Sequence, residues 1–133
     1  MKLTLTALIA LALAGSALAS PSNRTLTIRH QVHHCHSWSF DGTTWRASQS
    51  ATLAAGSTLT VVDNDVMSHT LVQVSGPKAT ITGAAMKTMS AHARVVFGTR
   101  GTYVFTTKVG EDYMKGVKTI GEDNVLRLVV KVS

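Results

Sequence analysis

Four of the chain's six histidines and its single cysteine fall within seven residues, His30-Gln31-Val32-His33-His34-Cys35-His36. A thiolate beside imidazoles is the donor chemistry of a soft metal site and suits copper or zinc. One cysteine offers no disulfide partner within the chain, so in an exported protein it calls for another role.

Export is read from the start of the chain. Met1-Lys2 gives a short positive start, residues 3–13 an apolar stretch, and Ala17-Leu18-Ala19 a small-x-small cleavage signal before Ser20. The apolar stretch is too short to favour a retained membrane span. The sequence thus predicts a signal peptide over 1–19, of the Ala/Leu-rich bacterial kind, and one domain over 20–133 that is periplasmic or secreted.

Thirteen Lys/Arg against seven Asp/Glu give a net charge of +6, which falls by one when Lys2 leaves with the leader. The positive residues are scattered, and two Trp, two Tyr and three Phe are too few to interleave a basic stripe with stacking rings. That argues against nucleic acid. A diffuse positive surface is better suited to a partner protein with an acidic face or to an anionic membrane surface.

The elements that must position these groups read as strands. Leu26 and Ile28 alternate with Thr25 and Thr27, and Leu59 and Val61 with Thr58 and Thr60. Near the end, Leu126, Leu128, Val130 and Val132 share one face, with Arg127 and Lys131 on the other. Asp41-Gly42, Ala55-Gly56-Ser57, Ser75-Gly76-Pro77 and Gly121-Glu122-Asp123-Asn124 are turn chemistry. Only 83–93 suggests a helical turn. Short strands at this spacing predict an all-β fold, an antiparallel Greek-key β-sandwich.

The segment Asp63-Asn64-Asp65-Val66-Met67-Ser68-His69 resembles the cupredoxin stretch in which Asn-Asp precedes the first copper-binding histidine. Gly101-Thr102-Tyr103-Val104-Phe105-Thr106-Thr107 resembles the strand leading into that family's second ligand loop, patterned G-x-Y-x-F-x-C, and Met114-Lys115-Gly116 resembles the M-x-G that closes it. The likeness implies a cupredoxin-like sandwich, one copper ion, His69 as a ligand, Met114 as the axial ligand, and Asn64 as a residue tying the ligand loops together.

The departure from the family is specific. Thr107 stands where the copper thiolate belongs, and Val109-Gly110-Glu111-Asp112-Tyr113 lacks the loop histidine. The only thiol is Cys35, in a region corresponding to the first strand, whose end lies near the metal loops in this family. Alternation would place His33, Cys35 and Ser37 on one face and His34, His36 and Trp38 on the other. Cys35 and His36 therefore ligate together only if the backbone bulges or turns between them; His33 is the simpler substitute. The expected site is Cys35, His36 and His69, with Met114 or Glu111 as a weak fourth ligand. Met86, Met89 and His92 form a second soft group, though exposed-loop and packing roles account for them.

The function expected is that of an exported mononuclear copper protein, a one-electron carrier with a redox partner. The alternative is periplasmic sequestration of Cu(I). No general base or oxyanion loop is legible, so no enzymatic activity is expected.

Overall fold

The computed structural model describes residues 19–112 and 116–133, apart from the side chains of 111 and 112. The expected signal peptide, but for Ala19, and Met114 lie outside the described residues. Ten strands form: β1 (Asn23–Gln31), β2 (Cys35–Ser39), β3 (Ser48–Leu53), β4 (Thr58–Asn64), β5 (Met67–Ser75), β6 (Thr80–Thr82), β7 (Ala85–Met86), β8 (Ala91–Val96), β9 (Gly101–Asp112) and β10 (Arg127–Val132). No helix occurs among the described residues, and so none that is long and apolar enough to cross a membrane.

The strands make two five-stranded sheets, ordered β2-β1-β4-β8-β6 and β3-β10-β9-β5-β7. The all-β sandwich is as expected, but its sheets are mixed rather than antiparallel. β1 pairs with β4 in parallel, Leu26 opposite Val61, and β3 pairs with β10 in parallel, Ala51 opposite Val130. Parallel neighbours need a crossover, and here the chain visits the opposite sheet between β1–β2 and β4. Nothing in local periodicity encodes such a pairing. The expected helical turn over 83–93 is likewise replaced by the short strand β7, whose Met86 is fully buried opposite His69.

Period-two alternation builds the core. Leu26, Ile28, Leu59, Val61, Leu128 and Val130 are fully buried, and Phe97 packs edge-on against Tyr103 with ring centroids 4.9 Å apart. Each such side chain contributes about 1.5–3 kcal/mol on leaving water. The same alternation continues along β4 past the apolar residues, so Asp63 is carried inward after Leu59 and Val61 and has no exposed surface.

The β1–β2 turn breaks the alternation where the donors lie. His34 and Cys35 both have positive φ, 60° and 62°. The His36 N–H donates to the His34 carbonyl at 2.7 Å, closing a γ-turn around Cys35. Positive-φ γ-turns are rare and strained, and two consecutive non-glycine residues in this region cost energy that the surroundings must hold in place. A segment spanning 118–124 does so. Ile120 donates its N–H to the Val32 carbonyl at 2.7 Å and accepts from His34 N–H at 2.9 Å, while Asn124 N–H donates to the His34 carbonyl at 2.9 Å. The Asn124 side-chain amide donates to the His36 carbonyl at 3.0 Å. Every residue of β2 is buried, although β2 is a sheet edge, with the strap against its start and Arg46 paired with Trp38.

Candidate metal centre

Asp65, in the β4–β5 turn, is the hub. Its Oδ1 accepts the backbone N–H groups of Val66 at 2.6 Å and Met67 at 3.3 Å. Its Oδ2 meets His36 Nδ1 at 2.6 Å and His69 Nε2 at 2.8 Å. The two rings stand edge-on, 4.9 Å between centroids and 87° between planes. Burial alone would raise the Asp65 carboxyl, but the hydrogen bonds from His36 and His69, together with their charge whenever they are protonated, outweigh it and hold the group well below the usual carboxylate range.

An ionised Asp65 only accepts, so both ring nitrogens facing it carry protons. The lone pair of each neutral ring then sits on its far nitrogen, a tautomer assigned from the hydrogen-bond network. For His69 that nitrogen, Nδ1, lies 3.0 Å from the Thr107 hydroxyl. For His36 it is Nε2, which is buried and has no hydrogen-bond partner among the described residues. The Asp123 carboxylate, half-exposed on the strap, approaches it to 3.8 Å.

Beside His36 lies the Cys35 thiol, 2 % exposed. Its Sγ is 3.2 Å from Met67 Sδ, 3.7 Å from Thr119 Oγ1 and 3.9 Å from His30 Nδ1. Two clusters of donors thus form, Cys35–His36–Asp123 and His36–Asp65–His69, with His36 common to both. The orphaned Nε2, grouped with the Cys35 thiol whose sulfur lies 3.2 Å from the Met67 thioether, fits a soft metal such as copper.

The turn that the sequence required between Cys35 and His36 is present and brings the two together. His69 joins His36 through Asp65 but falls in the other cluster. Asn64 does not reach the site: it is exposed on β4, paired with Arg29, and its neighbours Asp63 and Asp65 are the ones turned inward. His33 is exposed and in neither cluster. Glu111 lies in β9, with only its backbone described, and Met114 falls outside the described residues. Met86 is in the core, whereas Met89 and His92 are exposed.

Asp63, Asp65, Met67, Thr119 and Asp123 were not anticipated. The two aspartates carried a signal: they continue the Leu59-Val61 parity onto the buried face. Asp63 Oδ1 accepts the Asp65 N–H at 2.9 Å, while its buried Oδ2 has no hydrogen-bond partner among the described residues. Burial pushes its carboxyl up to about 6. The strap residues gave no local sign, since their place is fixed only by pairing with the His-rich turn.

No family model and no curated protein matches this chain. Among solved structures, a reduced proline-to-phenylalanine variant of amicyanin is 18% identical, with 92% of this chain and 90% of that one covered and a TM-score of 0.44. A copper-containing nitrite reductase from Thermus scotoductus SA-01 is 16% identical over 92% of this chain but 25% of its own, with a TM-score of 0.45. A cysteine protease inhibitor from Entamoeba histolytica is 10% identical over 86% and 99% of the two chains, with a TM-score of 0.44. Likeness at this level spans copper proteins and a protease inhibitor alike. The reading of the site therefore rests on its own geometry.

Proposed function

We propose that this protein is an exported, mononuclear copper-binding protein that carries one electron at a time, its copper held at the Cys35–His36 corner next to His69. The observation that carries the reading is the His36 ring: Asp65 accepts a hydrogen bond from its Nδ1–H at 2.6 Å, and the buried Nε2, grouped with the Cys35 thiol, has no hydrogen-bond partner among the described residues. A carboxylate that fixes the tautomer of a ligating histidine and raises its basicity is a recurrent feature of metal sites.

Copper, when bound, supplies the one-electron couple. The chain's own contribution is to hold the donors still and dry. Asp65 fixes His36, the γ-turn presents Cys35 and His36 on the same side, and the 118–124 strap covers both. A site braced from several elements needs little rearrangement between oxidation states. Asp65 is engaged by the His36 and His69 rings, and no catalytic step is proposed. The diffuse positive charge suits a redox partner with an acidic surface.

The sulfur–sulfur approach of 3.2 Å between Cys35 and Met67 favours a second reading, the holding of Cu(I) without a redox role. Titrating the mature chain with Cu(II) and Cu(I) while recording optical and EPR spectra separates the two. A sulfur-to-copper band that cycles reversibly and disappears in Cys35→Ser supports the carrier. Tight Cu(I) binding with an unstable or colourless Cu(II) form supports holding. Undiminished copper binding by Cys35→Ser overturns both.

A further inference from the structure

We propose that Met67 is a thioether ligand and His69 a positioning residue, so that the metal sits outward of the His36–Asp65–His69 hub in a donor set of Cys35 Sγ, Met67 Sδ and His36 Nε2. The proposal rests on the copper reading above but assigns the ligands differently from the resemblance, which points to His69 and Met114.

Three observations carry it. Met67 follows the Asp65 turn, its own N–H bonded to Asp65 Oδ1 at 3.3 Å, and its Sδ is 3.2 Å from Cys35 Sγ. The Met67 sulfur is closer to the thiol than Thr119 Oγ1 or His30 Nδ1. Second, both nitrogens of His69 are engaged, Nε2 by Asp65 and Nδ1 by Thr107, so ligation by His69 would break one of two hydrogen bonds, the first buried and the second part-buried. Third, His36 keeps its Nε2 lone pair unspent and turned toward the Cys35 side, where Asp123 also approaches.

Together these separate the two histidines by role. His36 is held by Asp65 on one side and offers a lone pair on the other. His69 is held on both sides and supports Asp65, which in turn orients His36. Two sulfurs and one imidazole form a soft set that favours Cu(I) over Cu(II) and over zinc.

The test is X-ray absorption at the copper edge on the Cu(I)-loaded mature chain, with competition titration for affinity and circular dichroism to verify folding. Wild type is expected to show two sulfur scatterers and one imidazole. Met67→Leu, close in volume and so readily accommodated, is expected to lose one sulfur scatterer and weaken Cu(I) binding while keeping its fold. His69→Gln is expected to retain the single imidazole scatterer and to lose about 10- to 100-fold in affinity, as for partners that orient ligands. Loss of an imidazole scatterer in His69→Gln makes His69 a ligand and overturns its assigned role. A second sulfur that survives Met67→Leu, or that disappears in Met114→Leu, overturns the role of Met67. Cys35→Ser tests the underlying copper reading separately, because it removes the thiolate whichever thioether binds.

Discussion

His36 and Asp65 are held 2.6 Å apart, Nδ1 against Oδ2, with neither side chain exposed to solvent. Around this contact the β1–β2 turn, the β4–β5 turn and β5 converge. Asp65 serves two imidazoles with one oxygen and two backbone amides with the other.

Replacing Asp65 with Asn leaves one accepting oxygen where there were two and sets an amide NH₂ against groups that also donate. Asp65→Asn is expected to lower stability by about 1–3 kcal/mol, the cost of leaving buried donors unmet. Metal affinity is expected to fall by about 10- to 100-fold as His36 loses its fixed tautomer. Denaturant midpoints of the apo chain and competition titration with Cu(I) check the two effects separately.

The His69–Thr107 contact tests the inner side of the hub. Thr107→Val keeps the shape of the side chain but removes the hydroxyl 3.0 Å from His69 Nδ1. A stability loss of about 1 kcal/mol is expected, with the number of metal-bound imidazoles unchanged. An unchanged denaturation midpoint would show that the hydroxyl does not support His69.

Asp63 gives a pH signature. Its carboxyl is raised from 3.8 to about 6 because burial disfavours the charge. A folded value above the unfolded one means that the native state binds the proton more tightly. Asp63 therefore opposes folding above about pH 6, and the opposition fades as pH falls toward the unfolded value. The shift corresponds to at most about 3 kcal/mol. Wild type should gain up to that amount on Asp63→Asn between about pH 7 and pH 4, measured by urea unfolding of the apo chain at a series of pH values. Parallel pH profiles for the two proteins would contradict it. Asp65, whose carboxyl shifts the opposite way, is present in both chains and largely cancels.

The strands were legible where burial alternates. Leu128 and Val130 on β10, Leu59 and Val61 on β4, and Leu26 and Ile28 on β1 announce a half-buried surface through local sequence alone, and all are buried. The parallel pairing of β1 with β4 was not legible, because it joins segments separated by a passage through the other sheet. At the site, the union of Cys35 with His36 could be stated only as a condition: it required a departure from alternation that neither residue type favours. The structure meets that condition with positive φ at two non-glycine residues. The role expected of Asn64 followed family resemblance, whereas counting by twos from Leu59 leads to Asp63 and Asp65. Asp123 and Thr119 were out of reach, since a hydrogen-bonded strap from distant sequence brings them to the turn.

That strap yields the last prediction. Cys35 is 2 % exposed, so a thiol reagent reaches it only when something opens. The strap is tied to the turn by backbone bonds at Ile120 and Asn124 and by side-chain bonds that include His34 Nδ1 to the Glu122 carbonyl at 3.0 Å and Asn124 Nδ2 to the His36 carbonyl at 3.0 Å. Asn124→Ala removes the Asn124 side-chain bond and leaves the backbone pairing in place. A typical hydrogen bond contributes about 1 kcal/mol, which is a factor of about five in an opening equilibrium. With opening and closing fast relative to modification, the reaction rate follows the open population. The Cys35 thiol of the apo chain should therefore react with an aromatic disulfide reagent about five times faster in Asn124→Ala than in wild type. Both should converge on the same rate in denaturant, where the strap no longer protects the sulfur. Equal native rates would mean that Cys35 is shielded by the γ-turn and Met67 rather than by the strap, and that access to the centre does not run through the 118–124 segment.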